Sequence, residues 1–487
     1  MTRDERQASS VTKWRTGSKL GNGTGTIEGC TGFGKTRIAT IVAQQLQTGL
    51  VDAKIIVIVP TIPLQNQWTK ILTDLDIKNF EVYVINTVVL SLDLLDCTLL
   101  ILDEIHMYAA DTFYQLFDVI SYKYIMGLTA TIERLDGKHS LLEKKCPIVD
   151  IITLEVALKN SWVADHIEYN LYIDLDKEQK EEYDKINDWI NSLFPIFQFD
   201  YYRARTCCKA TDTYYNGEAH PGAISFITNY KKNYGEILRI DDGFGTLLIG
   251  RALLNDVIKK ANNLMRLFHK REQFIASCPL KVSTTLAIIR KLGMKTVTFG
   301  KSTEVADEIT KQLNENLEVP IAASYHSYLK AEIRPIPKIK TYANAAPAEK
   351  YCTTADNGYI LPNDIKGYDV HYTKDIKFGS GRLKKEVIAK LDDDRIEVVN
   401  TAKALDLGLD VTGMQLAVVI DGHSNPTTHE QRKGRVIRKE LIGLVDKIAI
   451  IVNIVLKGTQ DEKWTKRRQI KNSRHVRHIT NIEQIEV

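Results

Sequence analysis

Four unbroken apolar runs punctuate the first 150 residues: Ile55-Ile56-Val57-Ile58-Val59, Val82-Tyr83-Val84-Ile85, Leu99-Leu100-Ile101-Leu102 and Tyr124-Ile125-Met126-Gly127-Leu128. Runs without polar alternation suit parallel strands that are covered on both faces. Helical patterns separate them, beginning with Arg37-Ile38-Ala39-Thr40-Ile41-Val42-Ala43. Strands alternating with helices predict one doubly wound α/β domain over residues 1–150, with its ligand chemistry at the carboxyl ends of the strands. The rhythm lapses over 151–278, read as a connector, a charged helix at 176–188 and a mostly helical insertion. It resumes near Pro279 with candidate strands at Thr296-Val297-Thr298-Phe299, Glu318-Val319-Pro320-Ile321, Ile396-Glu397-Val398-Val399, Leu416-Ala417-Val418-Val419-Ile420 and Ile448-Ala449-Ile450-Ile451-Val452. These predict a second parallel-sheet domain over 279–456. An interruption at about 328–380 holds four of the chain's 12 prolines. A structureless loop of that length is improbable inside a compact domain, so a small β-rich insertion is expected.

Composition narrows the class. With 487 residues, 44% apolar and 26% charged, the chain suits several globular domains. The net charge of +4 is too small for a global polyanion binder, so any nucleic-acid surface must be local. One candidate is the tail 457–487, where Lys457, Lys463, Lys466, Arg467, Arg468, Lys471, Arg474 and Arg477 outnumber Asp461 and Glu462. Another is the cluster Tyr201, Tyr202, Arg203, Arg205 and Lys209, which suits either base stacking or a packed helix rim. The cysteines number seven and include no C-x-x-C pair, which argues against a zinc site and for a reducing compartment. No apolar run approaches the roughly 18 residues of a membrane span, and the start is too polar for a signal peptide. A cytoplasmic protein without a membrane partner is expected.

Three stretches carry chemistry. Gly29-Cys30-Thr31-Gly32-Phe33-Gly34-Lys35-Thr36 is a complete phosphate-binding loop between a strand and a helix. Gly29, Gly32 and Gly34 let backbone amides approach phosphates, with Thr31 between them. Lys35 supplies charge, and Thr36 offers a hydroxyl to Mg²⁺. Asp103-Glu104-Ile105-His106 follows a predicted strand. Asp103 there can hold the same metal, and Glu104 can activate water for attack on the γ-phosphorus of ATP. Gln431-Arg432-Lys433-Gly434-Arg435-Val436-Ile437-Arg438 closes the second domain. Arg435 and Arg438, three apart, are expected on one helical face, suited to charge building on a transferred phosphate.

In this order the stretches resemble the superfamily 2 helicases, over nearly the whole chain. Residues 29–36 resemble motif I and Asp103-Glu104-Ile105-His106 a DExH motif II. Pro60-Thr61 with Leu64, Gln67 and Trp68 resembles motif Ia, Asn86-Thr87 motif Ib, and Thr129-Ala130-Thr131 motif III. Thr298-Phe299-Gly300-Lys301-Ser302 sits where motif IV belongs. Thr401 through Leu407-Gly408-Leu409-Asp410 resembles motif V, and residues 431–438 motif VI. The ending Gly458-Thr459-Gln460-Asp461-Glu462-Lys463-Trp464 with Lys466-Arg467-Arg468-Gln469 is similar to phage recombination helicases of the UvsW type.

The resemblance implies two RecA-like P-loop NTPase domains with ATP and Mg²⁺ between them. Gln431, Arg435 and Arg438 would reach across to the γ-phosphate, Asp410 would join the nucleotide site, and Arg6 and Gln7 would read the adenine. His106, Thr129 and Thr131 would couple the nucleotide state to a groove in which Thr61, Thr87, His326 and Thr401 meet a sugar–phosphate backbone. The implied substrate is DNA, single-stranded or branched, with RNA the other option. The expected activity is unwinding or branch migration of recombination, replication or repair intermediates. A double-strand translocase and an ATP-gated clamp are the alternatives. A phage origin would place the protein in the host cytoplasm. The chain begins almost at the adenine element, so a separate N-terminal DNA-binding module is not expected.

Overall fold

The computed structural model describes residues 1–91, 94–134, 137–214, 240–241, 247–248, 251–342, 359–362, 368–402, 413–421, 426–437, 448–469 and 476–486. A first sheet combines β1 (Thr24–Gly29), β2 (Ile55–Val59), β3 (Phe80–Val84), β4 (Leu95–Asp103), β5 (Ile120–Thr129) and β6 (Ile148–Ile152) in the order β3-β2-β4-β5-β1-β6. All its pairings are parallel. Every residue of β2 is buried, as its unbroken run of apolar side chains requires when helices cover both faces.

The chain opens in helix α1 (Arg3–Thr16), whose capping box reciprocally joins Thr2 and Glu5. It is fastened to the sheet by Asp150 on β6. That buried carboxylate accepts from Arg6 at 2.7 and 2.8 Å, from Ser10 at 2.7 Å and from Lys13 at 2.6 Å.

Among the described residues the second sheet has seven strands. Its members are β7 (Asp165–Ile173), β10 (Thr296–Gly300), β11 (Ala322–Tyr325), β15 (Val398–Ala402), β16 (Leu416–Val419), β17 (Ile448–Leu456) and β18 (Val476–Ile479), in the order β11-β15-β10-β16-β17-β7-β18. Tandem RecA-like domains are therefore the architecture, and three of the sequence expectations are corrected in detail.

First, the stretch read as connector supplies β7, and the stretch read as tail supplies β18. Both are parallel members of the second sheet. The sequence of β7 alternates polar and apolar residues, but its polar members Glu168 and Asn170 are buried at 2% and 1% exposure. They are satisfied by Asn453 of β17 and by Gln469 from the C-terminal stretch. Period-two alternation thus disguises a buried strand.

Second, the candidate strand at 318–321 lies too early. Glu318, Val319 and Pro320 are exposed, and Pro320 has no N–H for a ladder. The strand begins where Asn314 Oδ1 accepts from the Ile321 and Ala322 amides. Third, the strand expected from Ile396 starts at Val398.

The insertions have the expected characters. Helices Lys177–Leu193, Tyr201–Tyr214 and Arg251–Ser277 pack around Ile186, Ile190, Phe197, Ala204, Ala261 and Leu264. The two-residue strands β8 (Ile240–Asp241) and β9 (Leu247–Leu248) pair antiparallel between the last two helices. A three-stranded antiparallel sheet joins β12 (Glu332–Tyr342), β14 (Tyr368–Phe378) and β13 (Tyr359–Pro362). At its base the Phe378 ring lies between the guanidiniums of Arg334 at 4.9 Å and Arg382 at 3.8 Å. The side chains of the tyrosines at 342, 351, 359, 368 and 372, and the cluster at 230–234, lie outside the described residues.

Candidate active site

The phosphate loop runs from the end of β1 to the first residue of helix α2 (Lys35–Gly49), whose N-terminus favours anions. Gly32 and Gly34 hold φ of 81° and 95°, left-handed values open to glycine at little cost. A side chain at Gly34 would also collide, since its Cβ would lie 2.6 Å from Gln7 Nε2. Lys35 folds back so that Nζ donates to the Gly29 carbonyl at 2.8 Å. Thr36 follows it in the first turn of α2.

Helix α1 clamps this loop from outside. Arg3 donates to the Phe33 and Gly32 carbonyls at 2.9 and 2.8 Å, and Gln7 donates to the Phe33 carbonyl at 2.9 Å. The expected pair Arg6 and Gln7 is thus divided. Gln7 touches the loop, whereas the Arg6 guanidinium is taken up by Asp150 and the adenine role expected for it is corrected to a structural one. Arg3 performs the clamping, and nothing in its sequence context distinguishes it from an ordinary first-turn residue.

Asp103 ends β4, the strand between β2 and β5, and its Oδ2 accepts from Trp68 Nε1 at 2.8 Å. Burial and the neighbouring Glu104 charge push its carboxyl up to about 6. Glu104 sits at φ 52°, an uncommon value for a residue with a Cβ, and turns the chain into the short 3-10 helix Ile105–Ala109. Burial raises its carboxyl, opposed by the Lys35 and Arg435 charges and by the Gln431 side chain. Its Oε2 is buried without a hydrogen-bond partner, at 3.4 Å from His106 Nδ1. Two neighbouring carboxylates, one with an unsatisfied buried oxygen and both in the field of Lys35, fit Mg²⁺ shared with phosphates, for which hard oxygen donors are required. Asp103 and Thr36 would hold it.

His106 Nδ1 lies 3.0 Å from Thr129 Oγ1. That hydroxyl gives its proton to the Thr131 carbonyl at 2.7 Å and accepts from the Thr131 amide at 3.2 Å. Its remaining role is acceptor, so His106 carries its proton on Nδ1. Burial and the Arg134 and Lys35 charges lower the imidazole to about 4, so it is neutral at pH 7. The three residues expected to act in coupling therefore form one hydrogen-bonded chain at the end of β5, running from His106, beside Glu104, through Thr129 to Thr131.

The second domain meets the loop through the helix Pro426–Lys433 and the turn after it. Thr31 Oγ1 donates to the Glu430 carbonyl at 3.2 Å, and a Cβ on Gly434 would lie 2.3 Å from Thr31 Cβ. The helix ends at Lys433, so Arg435 occupies a turn; the expected shared helical face with Arg438 is corrected accordingly. The turn divides the basic run. Arg432 donates inward to the Asp421 carbonyl at 2.9 Å, and Lys433 pairs with Glu430 at 2.7 Å and Glu168 at 3.4 Å. Gln431 and Arg435, both buried, act on Glu104 instead. Arg438 and Asp410 lie outside the described residues.

The four residues expected to meet nucleic acid fall in two pairs at neighbouring strand ends. Thr61, just beyond β2, precedes the helix Ile62–Asp74 and has a buried Oγ1 without a hydrogen-bond partner. Thr87 is exposed in the helix Ile85–Ser91 beyond β3. His326 follows β11, buried, with Nε2 at 2.9 Å from Asp307. Thr401 on β15 faces Tyr325 in register and spends its proton on the Thr298 carbonyl at 2.7 Å.

Comparison with known proteins follows the same division. The family model for the type III restriction enzyme res subunit matches residues 1–91, and that for the helicase conserved C-terminal domain matches 377–440. One segment contains the phosphate loop, the other the Gln431–Arg435 turn. A DNA 3'-5' translocase, XPB2, of Sulfurisphaera tokodaii is 22% identical over 480 residues, 95% of this chain and 83% of that protein. The helicase domain of Hef from Pyrococcus furiosus is a structural neighbour at 16% identity and TM-score 0.45, covering 94% of this chain and 97% of that one, a likeness too loose to argue from. The closer likeness to the UvsW type rests on the tail residues alone.

Proposed function

We infer that the chain is a superfamily 2 helicase that hydrolyses ATP, a motor that couples this hydrolysis to movement along DNA. One observation carries the reading. Glu104, the candidate base of the first domain, lies in the field of Arg435 and Gln431 from the second, so the two domains together complete one site. Such a site opens and closes with the relative position of the domains, and turnover then becomes movement.

Lys35 binds the β- and γ-phosphates, and the loop amides around Gly32 and Gly34 cradle them. Glu104 orients the attacking water and takes its proton, while Arg435 and Gln431 meet the charge that builds on the γ-phosphate. Asp103 and Thr36 would hold Mg²⁺, which would supply neutralisation of the phosphate charge. Thr61 and Thr87 on one sheet and His326 and Thr401 on the other would track a backbone without reading bases. The name of the Sulfurisphaera tokodaii relative favours a translocase, while branched recombination or repair intermediates remain the proposed natural substrates.

Lys35→Ala and Glu104→Gln should each lower DNA-stimulated turnover by roughly two to four orders of magnitude, the usual worth of such groups. Wild-type turnover in either would refute the site. Displacing a labelled strand from forked DNA, against displacing a protein roadblock from intact duplex, separates a helicase from a translocase that leaves strands paired. Duplex RNA in the same assay tests the remaining substrate.

A further inference from the structure

Sequence reasoning places no function on residues 160–164, which carry the chain from the first sheet to the second. It crosses only here, because every described strand of the second sheet follows. Asn160 ends a short helix, Leu154–Lys159, and Ser161 takes φ 55°, turning the chain sharply. Trp162 is then driven inward. Its amide donates to the Ala157 carbonyl at 2.8 Å, its indole donates to the Met1 carbonyl at 3.3 Å, and 4% of it is exposed.

This indole packs against Phe33 of the phosphate loop, with ring centroids 5.4 Å apart and planes at 57°. Phe33 is fully buried and stands between Gly32 and Gly34, which have no side chains to anchor the turn. Its carbonyl is already held by Arg3 and Gln7, so the ring is a second fastening of this residue. Two residues beyond Trp162, the Ala164 amide donates to the Ile437 carbonyl at 2.8 Å. Ile437 belongs to the turn that carries Gly434 and Arg435. Three consecutive residues thus grip the phosphate loop at one end and the arginine turn at the other.

We propose that Trp162 is a positioning residue of the ATPase cycle, clasping the phosphate loop through Phe33 and passing the movement of the second domain to it. The proposal rests on the ATP-site reading above. A tilted aromatic pair tolerates small rotations while resisting separation, which suits a joint rather than a rigid brace. Movement of the arginine turn pulls the 162–164 segment at Ala164, and the indole carries that displacement to the loop that holds the phosphates.

The test is a double-variant cycle on steady-state ATP hydrolysis, Phe33→Leu against Trp162→Leu, with the melting temperature of each protein recorded. Each single variant should raise KM for ATP about tenfold, and the pair together should go no more than about threefold further, because the second change removes a partner already lost. Trp162→Phe, which keeps a ring in the slot, should stay within about threefold of wild type. Should Trp162→Leu melt below the assay temperature, Phe33→Leu is read alone, and an unchanged KM in that folded protein overturns the proposal. Independent effects that multiply towards about a hundredfold, or an unchanged KM in folded Trp162→Leu, overturn the proposal. Wild-type protein without any turnover would overturn the ATPase reading and this one with it.

Discussion

Gly434 is the place where a single methyl group should separate the two halves of the site. Its φ is not left-handed, so conformation does not require glycine there; proximity does. A Cβ at this position would lie 2.3 Å from Thr31 Cβ and 2.4 Å from its Oγ1. Carbon atoms rest about 3.5–4.0 Å apart, so Gly434→Ala must open the contact by more than ~1 Å. The two residues belong to different domains, and the cheapest relief is for those domains to stand apart. Arg435, the next residue, then withdraws from Glu104 by a similar distance. Misplacement of about 1 Å in a reacting array costs on the order of a hundredfold, or ~2.7 kcal/mol of barrier. We expect Gly434→Ala to lower kcat about a hundredfold. The melting temperature should move little, because neither Thr31 nor Gly434 belongs to a hydrophobic core. Thr31→Gly in the same chain should recover much of the rate by removing the atom that is struck. Turnover at the wild-type rate in Gly434→Ala would refute the idea that this contact sets the closed geometry.

Other expectations follow from individual contacts. Arg3→Ala removes two charged hydrogen bonds to the phosphate loop and should raise KM for ATP roughly tenfold, given about 1.5–3 kcal/mol for bonds of this type, with a smaller change in kcat measured in the same assay. Lys281 and Asp461 form a fully buried ion pair at 2.7 Å, so Asp461→Ala should cost about 3–5 kcal/mol by denaturant unfolding, while replacing both with apolar residues should cost less. At Asp150 burial would raise the carboxyl, but the hydrogen bonds from Arg6, Lys13 and Ser10 prevail and hold it below its ordinary value. Its stabilising contribution is complete above the ordinary aspartate value of about 3.9 and fades as pH falls through the lowered one, so Asp150→Asn should flatten the acid limb of melting temperature against pH.

Much of this arrangement was legible because its elements obey local rules. Unbroken apolar runs marked β2 and β4, and the glycine spacing marked the phosphate loop. The acids at the end of β4 stood where strand-end chemistry belongs. What escaped was settled by tertiary partners. Strand β7 reads as half-exposed because Glu168 and Asn170 interrupt it, and only the approach of Asn453 and Gln469 makes their burial tolerable. Arg6 and Arg3 are both first-turn arginines of one helix, and nothing local says that one will meet Asp150 and the other the phosphate loop. The arginine pair was placed on a helix because spacing suggested one, whereas the helix stops at Lys433.

The C-terminal stretch shows why that stop matters. Lys433 and His429 of the helix both reach Glu168, at 3.4 and 2.8 Å, and Arg432 is tied to Asp421. Burial alone would raise the Glu168 carboxyl, yet the Lys433 charge and the hydrogen bonds from His429 and Asn453 hold it well below the ordinary range. Gln469 donates to the same carboxylate at 2.7 Å, and Asp461, eight residues earlier, anchors Lys281, which also donates to the Ile420 carbonyl at 2.6 Å beside Asp421. The inward side of the helix is therefore fastened at three points, partly by residues beyond the last motif. An element held so firmly along one side cannot rotate freely about its axis. Gln431 and Arg435 are left directed at the first domain, and approach of the domains needs no further search for the productive orientation. The stretch first read as a basic tail thus fixes the aim of the residues that close the site.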